Sequence, residues 1–110
     1  MKIVVIATLD TKGEEAAFIR DEILKKGVTP LVVDPGSTGT PMIQADVARE
    51  EIALAGGESL PALLARNDKA FVQQTMIAGL VNVVSKLYSQ GQLDGIISVG
   101  GGQGTAIATA

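Results

Sequence analysis

Apolar side chains run unbroken through Ile3-Val4-Val5-Ile6-Ala7 and stop at a polar cluster, Thr8 to Glu15. A short β-branched run without alternation predicts a strand from Lys2 to Ala7 that is buried on both faces, as in a parallel sheet. From Glu14 to Lys26 the pattern becomes helical, with Glu14 and Glu15 in the first turn and Lys25 and Lys26 in the last. That order of charges complements a helix dipole, and Gly27 suits the position just past the helix end. Leu31-Val32-Val33 predicts a second strand that ends at Asp34. The stretch DPGSTGTP, Asp34 to Pro41, is a loop by its Pro, Gly, Ser and Thr content. Asp46 is placed to cap a helix running to Ala55, with Gly56-Gly57 as its stop, and Pro61 to Arg66 predicts one more short helical turn.

A long helix is expected from Lys69 to Gln90, capped by Asp68 or Asn67 and stopped by Gly91. Its apolar positions, from Phe71 and Val72 to Leu87 and Tyr88, form a band wider than one surface helix needs. Gln74, Asn82, Ser85, Lys86 and Ser89 mark a narrow polar side, with Ala78 and Gly79 near it. Such a helix either packs on the sheet and touches a second partner, or is roofed by the segments around Leu60 to Leu64. Gly95 to Val99 predicts the third strand, followed by GGGQGT, Gly100 to Thr105, and the first turn of another helix at Ala106 to Ala110.

Strand, helix, strand, helix, strand predicts an α/β fold: a Rossmann-like three-layer α/β/α arrangement of parallel strands in the order 2-1-3. Three strands make a thin sheet with two open edges, so the chain is expected to be the N-terminal part of a single, longer nucleotide-binding domain. In this order the loops after strands 1 and 3 leave neighbouring strands in opposite directions, and such a switch point is where open α/β sheets bind ligands. LDTKG and GGGQGT would face each other there, with DPGSTG beside them.

Composition narrows the chemistry. With 110 residues, 46% of them hydrophobic, the chain suits one domain with a core. Aromatics are few (Phe18, Phe71 and Tyr88), and 9 basic against 12 acidic side chains give a charge of −3. No basic stripe or stacking platform for nucleic acid is present. Cysteine and histidine are absent, which removes thiolate chemistry, the commonest general base and the commonest zinc ligand. No apolar run is long enough to span a membrane, and a cytoplasmic domain is expected.

At the crevice, Gly100, Gly101, Gly102 and Gly104 would let backbone N–H groups approach an anion at a helix start, and phosphate suits that geometry best. Thr11 and Thr105 offer hydroxyls to a phosphate or to magnesium, Lys12 offers a point charge, and Asp10 offers oxygen to the metal. Neither the Walker pattern nor G-x-G-x-x-G is present. Asp34 ends strand 2 about twenty residues past the first loop, where dinucleotide-binding folds place the ribose acid; a turn residue before Pro35 is an equal reading. The Arg49-Glu50-Glu51 cluster reads as a solvated helix face.

The stretches IATLDTKGEEAAFIRDEI, VVDPGSTG, ADVAREEIALAGG and YSQGQLDGIISVGGGQGTAIAT together resemble the ATP-binding N-terminal domain first described in the plant tobamovirus-resistance protein. The resemblance covers essentially the whole chain. It implies ATP binding with magnesium, with Asp10, Thr11, Lys12 and Gly13 near the phosphates. Asp34 and Gly36 would lie at the crevice edge, and Gly100 to Gly104 with Thr105 would form a second wall. Two other readings stand beside it. One is an enzyme module for a phosphorylated or carboxylated small molecule, with Lys12 and Asp10 as acid and base. The other is an assembly module that forms a homo-oligomer or docks the remaining C-terminal part of a longer parent.

Overall fold

Three strands, β1 (Lys2–Ile6), β2 (Thr29–Val33) and β3 (Gly95–Ser98), form one parallel sheet in the order β2-β1-β3. They are seen in a computed structural model that describes residues 1–99. Val4 stands opposite Leu31 and Ile96, and Ile6 opposite Val33 and Ser98. β1 takes the centre because neither of its faces is polar. Val4 and Ile6 enter one core and Val5, with Ala7 just beyond the strand, enters the other. α1 (Leu9–Lys25) closes the second core through Leu9, Ala16 and Ile23. α2 (Arg49–Ala55), α3 (Leu60–Ala65) and α4 (Lys69–Ser89) close the first through Ile52, Leu63, Met76 and Leu80. The α/β class, parallel pairing and strand order expected from the sequence are those observed, and a partial domain fits them.

Two segments depart from the expected elements. α1 starts at Leu9 rather than Glu14, so LDTKG is not a free loop. The N–H groups of Thr11 and Lys12 both reach the Thr8 carbonyl, at 3.2 and 2.8 Å, and close a turn. The helix breaks at Lys12 (φ −117°, ψ 21°) and then continues. Asp46 does not cap α2, whose N-cap is Ala48. Its carboxylate instead accepts from the Val32 N–H at 2.7 Å, its own N–H reaches the Val32 carbonyl at 2.8 Å, and Val47 bridges to Val33. The β2 edge is therefore partly closed by the chain itself, which blunts its capacity to pair with another strand.

α4 matches its expected span, and the Asp68 carboxylate caps it by accepting from the Phe71 N–H at 3.1 Å. Its wide apolar band has two neighbours, the sheet on one side and α2 with α3 on the other. Gly79 is not on the polar side but buried where α4 meets α2. A β-carbon there would overlap the Ile52 carbonyl and lie 3.0 Å from the Gly56 nitrogen. Beyond the core, Phe18 is 66% and Tyr88 73% exposed, and Ile96 on β3 is 42% exposed. No helix among the described residues is long and apolar enough to cross a membrane.

Exchanging the small residues at 78 and 79 tests the α2–α4 contact. Ala78→Gly, at an exposed site, is expected to lose about 1 kcal/mol through helix propensity alone. Gly79→Ala should lose about 1–3 kcal/mol by forcing two backbones apart, despite its better propensity. Urea unfolding of both variants checks this; a stabilised Gly79→Ala would mean that the helices do not touch there.

Candidate functional site

The C-terminal ends of β1 and β2 deliver two carboxylates to one place. Asp34 follows β2 and is 1% exposed. Its Oδ1 accepts from the Gly36 N–H at 2.9 Å and from the Leu9 N–H at 3.3 Å. It therefore supplies to the start of α1 a partner that the Thr8 side chain does not provide. Asp10, in the first turn of α1, has an 11% exposed side chain, and its Oδ2 accepts from the Thr38 hydroxyl at 3.1 Å.

Arg49, the first residue of α2, lies between them with 5% of its side chain exposed. Its Nε donates to Asp34 Oδ2 at 3.0 Å. Nη1 donates to the carbonyls of Thr38 and Gly39, at 2.5 and 3.2 Å. Nη2 sits 3.0 Å from Asp34 Oδ2 and 3.6 Å from Asp10 Oδ1, yet makes no well-directed hydrogen bond. The Nη2 contact with Asp34 is therefore an electrostatic one. One guanidinium thus binds the end of β2, the start of α1 and the Asp34–Pro41 loop together. The loop runs so close that a β-carbon on Gly36 would fall 2.9 Å from Asp34 Oδ1 and 3.0 Å from Arg49 Nη2.

Above this cluster is a cavity of about 570 Å³, within the ~300–1,000 Å³ range of small-molecule sites. The strand loops contribute Thr8, Asp10, Thr11, Gly36, Ser37 and Thr38 to its lining, and α3 and α4 contribute Leu64, Val72 and Met76 with polar neighbours. The Thr8 and Thr11 hydroxyls are 3.1 Å apart. Among the described residues, no three acidic, His or Cys side chains converge as a metal cage. A magnesium ion would rely on Asp10, hydroxyls, water and its ligand, the usual pattern for that ion. Asp10 has lone pairs to spare, because a carboxylate offers about four acceptor sites.

The residues expected to contact a ligand thus divide. Asp10, Thr11 and Gly36 line the cavity. Asp34 lies beneath it with both oxygens engaged. Lys12 is half-buried at the break in α1 and is not part of the lining. Gly13 is buried against Met42, where a β-carbon would come within 2.5 Å of the Met42 β-carbon. Its small size lets the loop cross α1. Gly100, Gly101, Gly102, Gly104 and Thr105 lie outside the described residues. Arg49, expected on a solvated face, is instead buried, while Glu50 and Glu51 are exposed. A signal for it was available: a cation in the first turn of a helix opposes the dipole, so its charge must be used elsewhere.

Arg49→Met should cost about 3–5 kcal/mol, because it strands two shielded carboxylates. Asp34→Asn in the Arg49→Met background should add far less than it costs alone, the sign of one shared network. Urea unfolding of the two single variants and the double variant checks this; additive losses would mean that the pair is not coupled.

Comparison with known proteins bears on identity. The N-terminal domain of Uncharacterised protein family UPF0261 matches residues 1–110. A UPF0261 protein of Clostridium tetani is 38% identical over 108 residues, covering 98% of this chain and 27% of its own length. UPF0261 proteins of Brucella suis and Rhizobium meliloti are each 33% identical, covering 97% and 99% of this chain and 26% of their own lengths. The chain spans about a quarter of the length of the curated relatives it matches. No solved structure matches it. These matches correct the resemblance to the plant resistance protein's ATP-binding domain, since the motifs quoted for it fall inside the UPF0261 match and the relatives carry that family's name. The chain belongs to the UPF0261 family, as its N-terminal domain.

Proposed function

We propose that this domain binds ATP together with magnesium over the C-terminal ends of its strands. The observation that carries the reading is the cavity itself. It lies where open α/β sheets take ligands, and hydroxyls and one carboxylate from the β1 and β2 loops line it. Asp10 would hold the metal, and Thr8, Thr11 and Ser37 would meet phosphate oxygens or metal-bound water. Gly100 to Thr105, whose glycines suggest backbone N–H groups for a phosphate, lie outside the described residues. On this reading the domain works in the cytoplasm, as the nucleotide-binding part of a longer protein, and any reaction belongs to the whole protein.

Local charge at the strand loops favours a metal beside the triphosphate. Asp10 and Asp34 outnumber Arg49, the cation between them, and the strand-loop part of the lining brings no lysine or arginine. A bare triphosphate would meet net negative charge, whereas a bridging magnesium reverses that local sign.

Calorimetric titration of ATP should show binding with magnesium and none with a chelator. Asp10→Asn should weaken the magnesium-dependent affinity by about 1.5–3 kcal/mol, roughly tenfold to a hundredfold. Equal affinity with and without the metal would remove Asp10 from the metal site. No binding under either condition would remove ATP from the reading.

A further inference from the structure

The part of the cavity lining made by α3 and α4 differs in kind from the strand loops. Lys69, Val72, Gln73 and Met76 are spaced i, i+3, i+4 and i+7, so one face of α4 points into the cavity. Leu64 of α3 joins them and is 45% exposed, leaving uncovered apolar surface inside a polar site. Asn67 holds the chain in a left-handed turn (φ 54°) between the helices and also lines the cavity. The strand loops have no use for these residues. Their chemistry is that of a slot: exposed Leu64 beside the edges of buried Val72 and Met76, with two amides that both donate and accept, flanked by Asp68 and Lys69.

We infer that this slot holds the base of the nucleotide, its ring against Leu64, Val72 and Met76 and its edge read by the amides of Asn67 and Gln73. The inference rests on the ATP reading, and it divides the cavity between phosphate chemistry at the strand loops and ring recognition at α4. A planar heteroaromatic ring fits because it is apolar on its faces, polar on its edge and uncharged. A triphosphate alone would leave the aliphatic slot wet and unused.

The test compares magnesium with ATP, magnesium with tripolyphosphate, and adenosine alone, by calorimetry on the full chain. ATP should bind at least about tenfold more tightly than tripolyphosphate, the order of gain a ring contact brings. Gln73→Trp, at an exposed position, fills the slot and should bring the ratio of the two affinities close to one. Leu64→Ser should lower the same ratio without opening the core, and thermal melting confirms that both variants fold. Equal affinities for ATP and tripolyphosphate, or a ratio unmoved by both substitutions, overturns the base slot while keeping the phosphate reading. Binding of adenosine but not of tripolyphosphate keeps the slot and overturns the phosphate reading. No binding by any of the three overturns both.

Discussion

A guanidinium taken out of water loses several kcal/mol of solvation unless its donors are met, and Arg49 is almost fully out of water. The surrounding chain is arranged to meet them. Asp34 faces Nε, the Thr38 and Gly39 carbonyls face Nη1, and Asp10 stands near Nη2. Those partners come from the first turn of α1 and from the loop after β2, so the ion cluster fixes how α1, that loop and the start of α2 meet. The loop must pass close, which is why Gly36 carries no side chain, and it must turn its carbonyls inward. With Thr38 tied to Asp10 and Gly36 tied to Asp34, the loop is positioned as part of the cavity wall.

The sheet was legible in the sequence because its determinants are local. An unbroken β-branched run can only be buried on both faces, and alternating strands and helices leave few topologies. α4 was legible for the same reason, from its length, its acidic cap and its stop. Elements that depend on distant partners were not. Asp46 has the composition of a helix cap, but the open edge of β2 offered its carboxylate an unpaired N–H and took it. Leu9 to Lys12 has the composition of a loop, yet the Thr8 carbonyl closes it into a turn while Asp34 meets the Leu9 N–H from the end of the neighbouring strand.

The candidate cavity was legible in part. A polar cluster after a buried strand stands at the end of the sheet where the cavity lies, and Asp10, Thr11 and Gly36 line it. Asp34 and Gly13 carry the residue types of a binding loop; in the structure Asp34 pairs with Arg49 and Gly13 packs against Met42. Both roles depend on residues far along the chain, Arg49 for one and Met42 for the other, and no local spacing reveals them. The α4 face was hidden differently, because Val72 and Met76 read as core at every level of sequence pattern. They are buried, and they also border the cavity, since a core that ends at a cleft serves both.

The ion cluster and the cavity share Asp10 and Thr38. Asp10 gives one oxygen to the Thr38 hydroxyl and sets the other near Arg49, with only a narrow face open to the cavity. A cation arriving at that face would draw electron density from both contacts, and the Thr38–Gly39 segment is what those contacts hold. The same segment supplies the carbonyls on Arg49 Nη1. Arg49 opens α2, whose later backbone, at Ile52 and Gly56, lies against α4 at Gly79. α4 in turn carries Val72 and Met76 into the cavity. Contacts thus run from Asp10 through Arg49 and α2 to α4, and both ends of that chain of contacts line the same cavity.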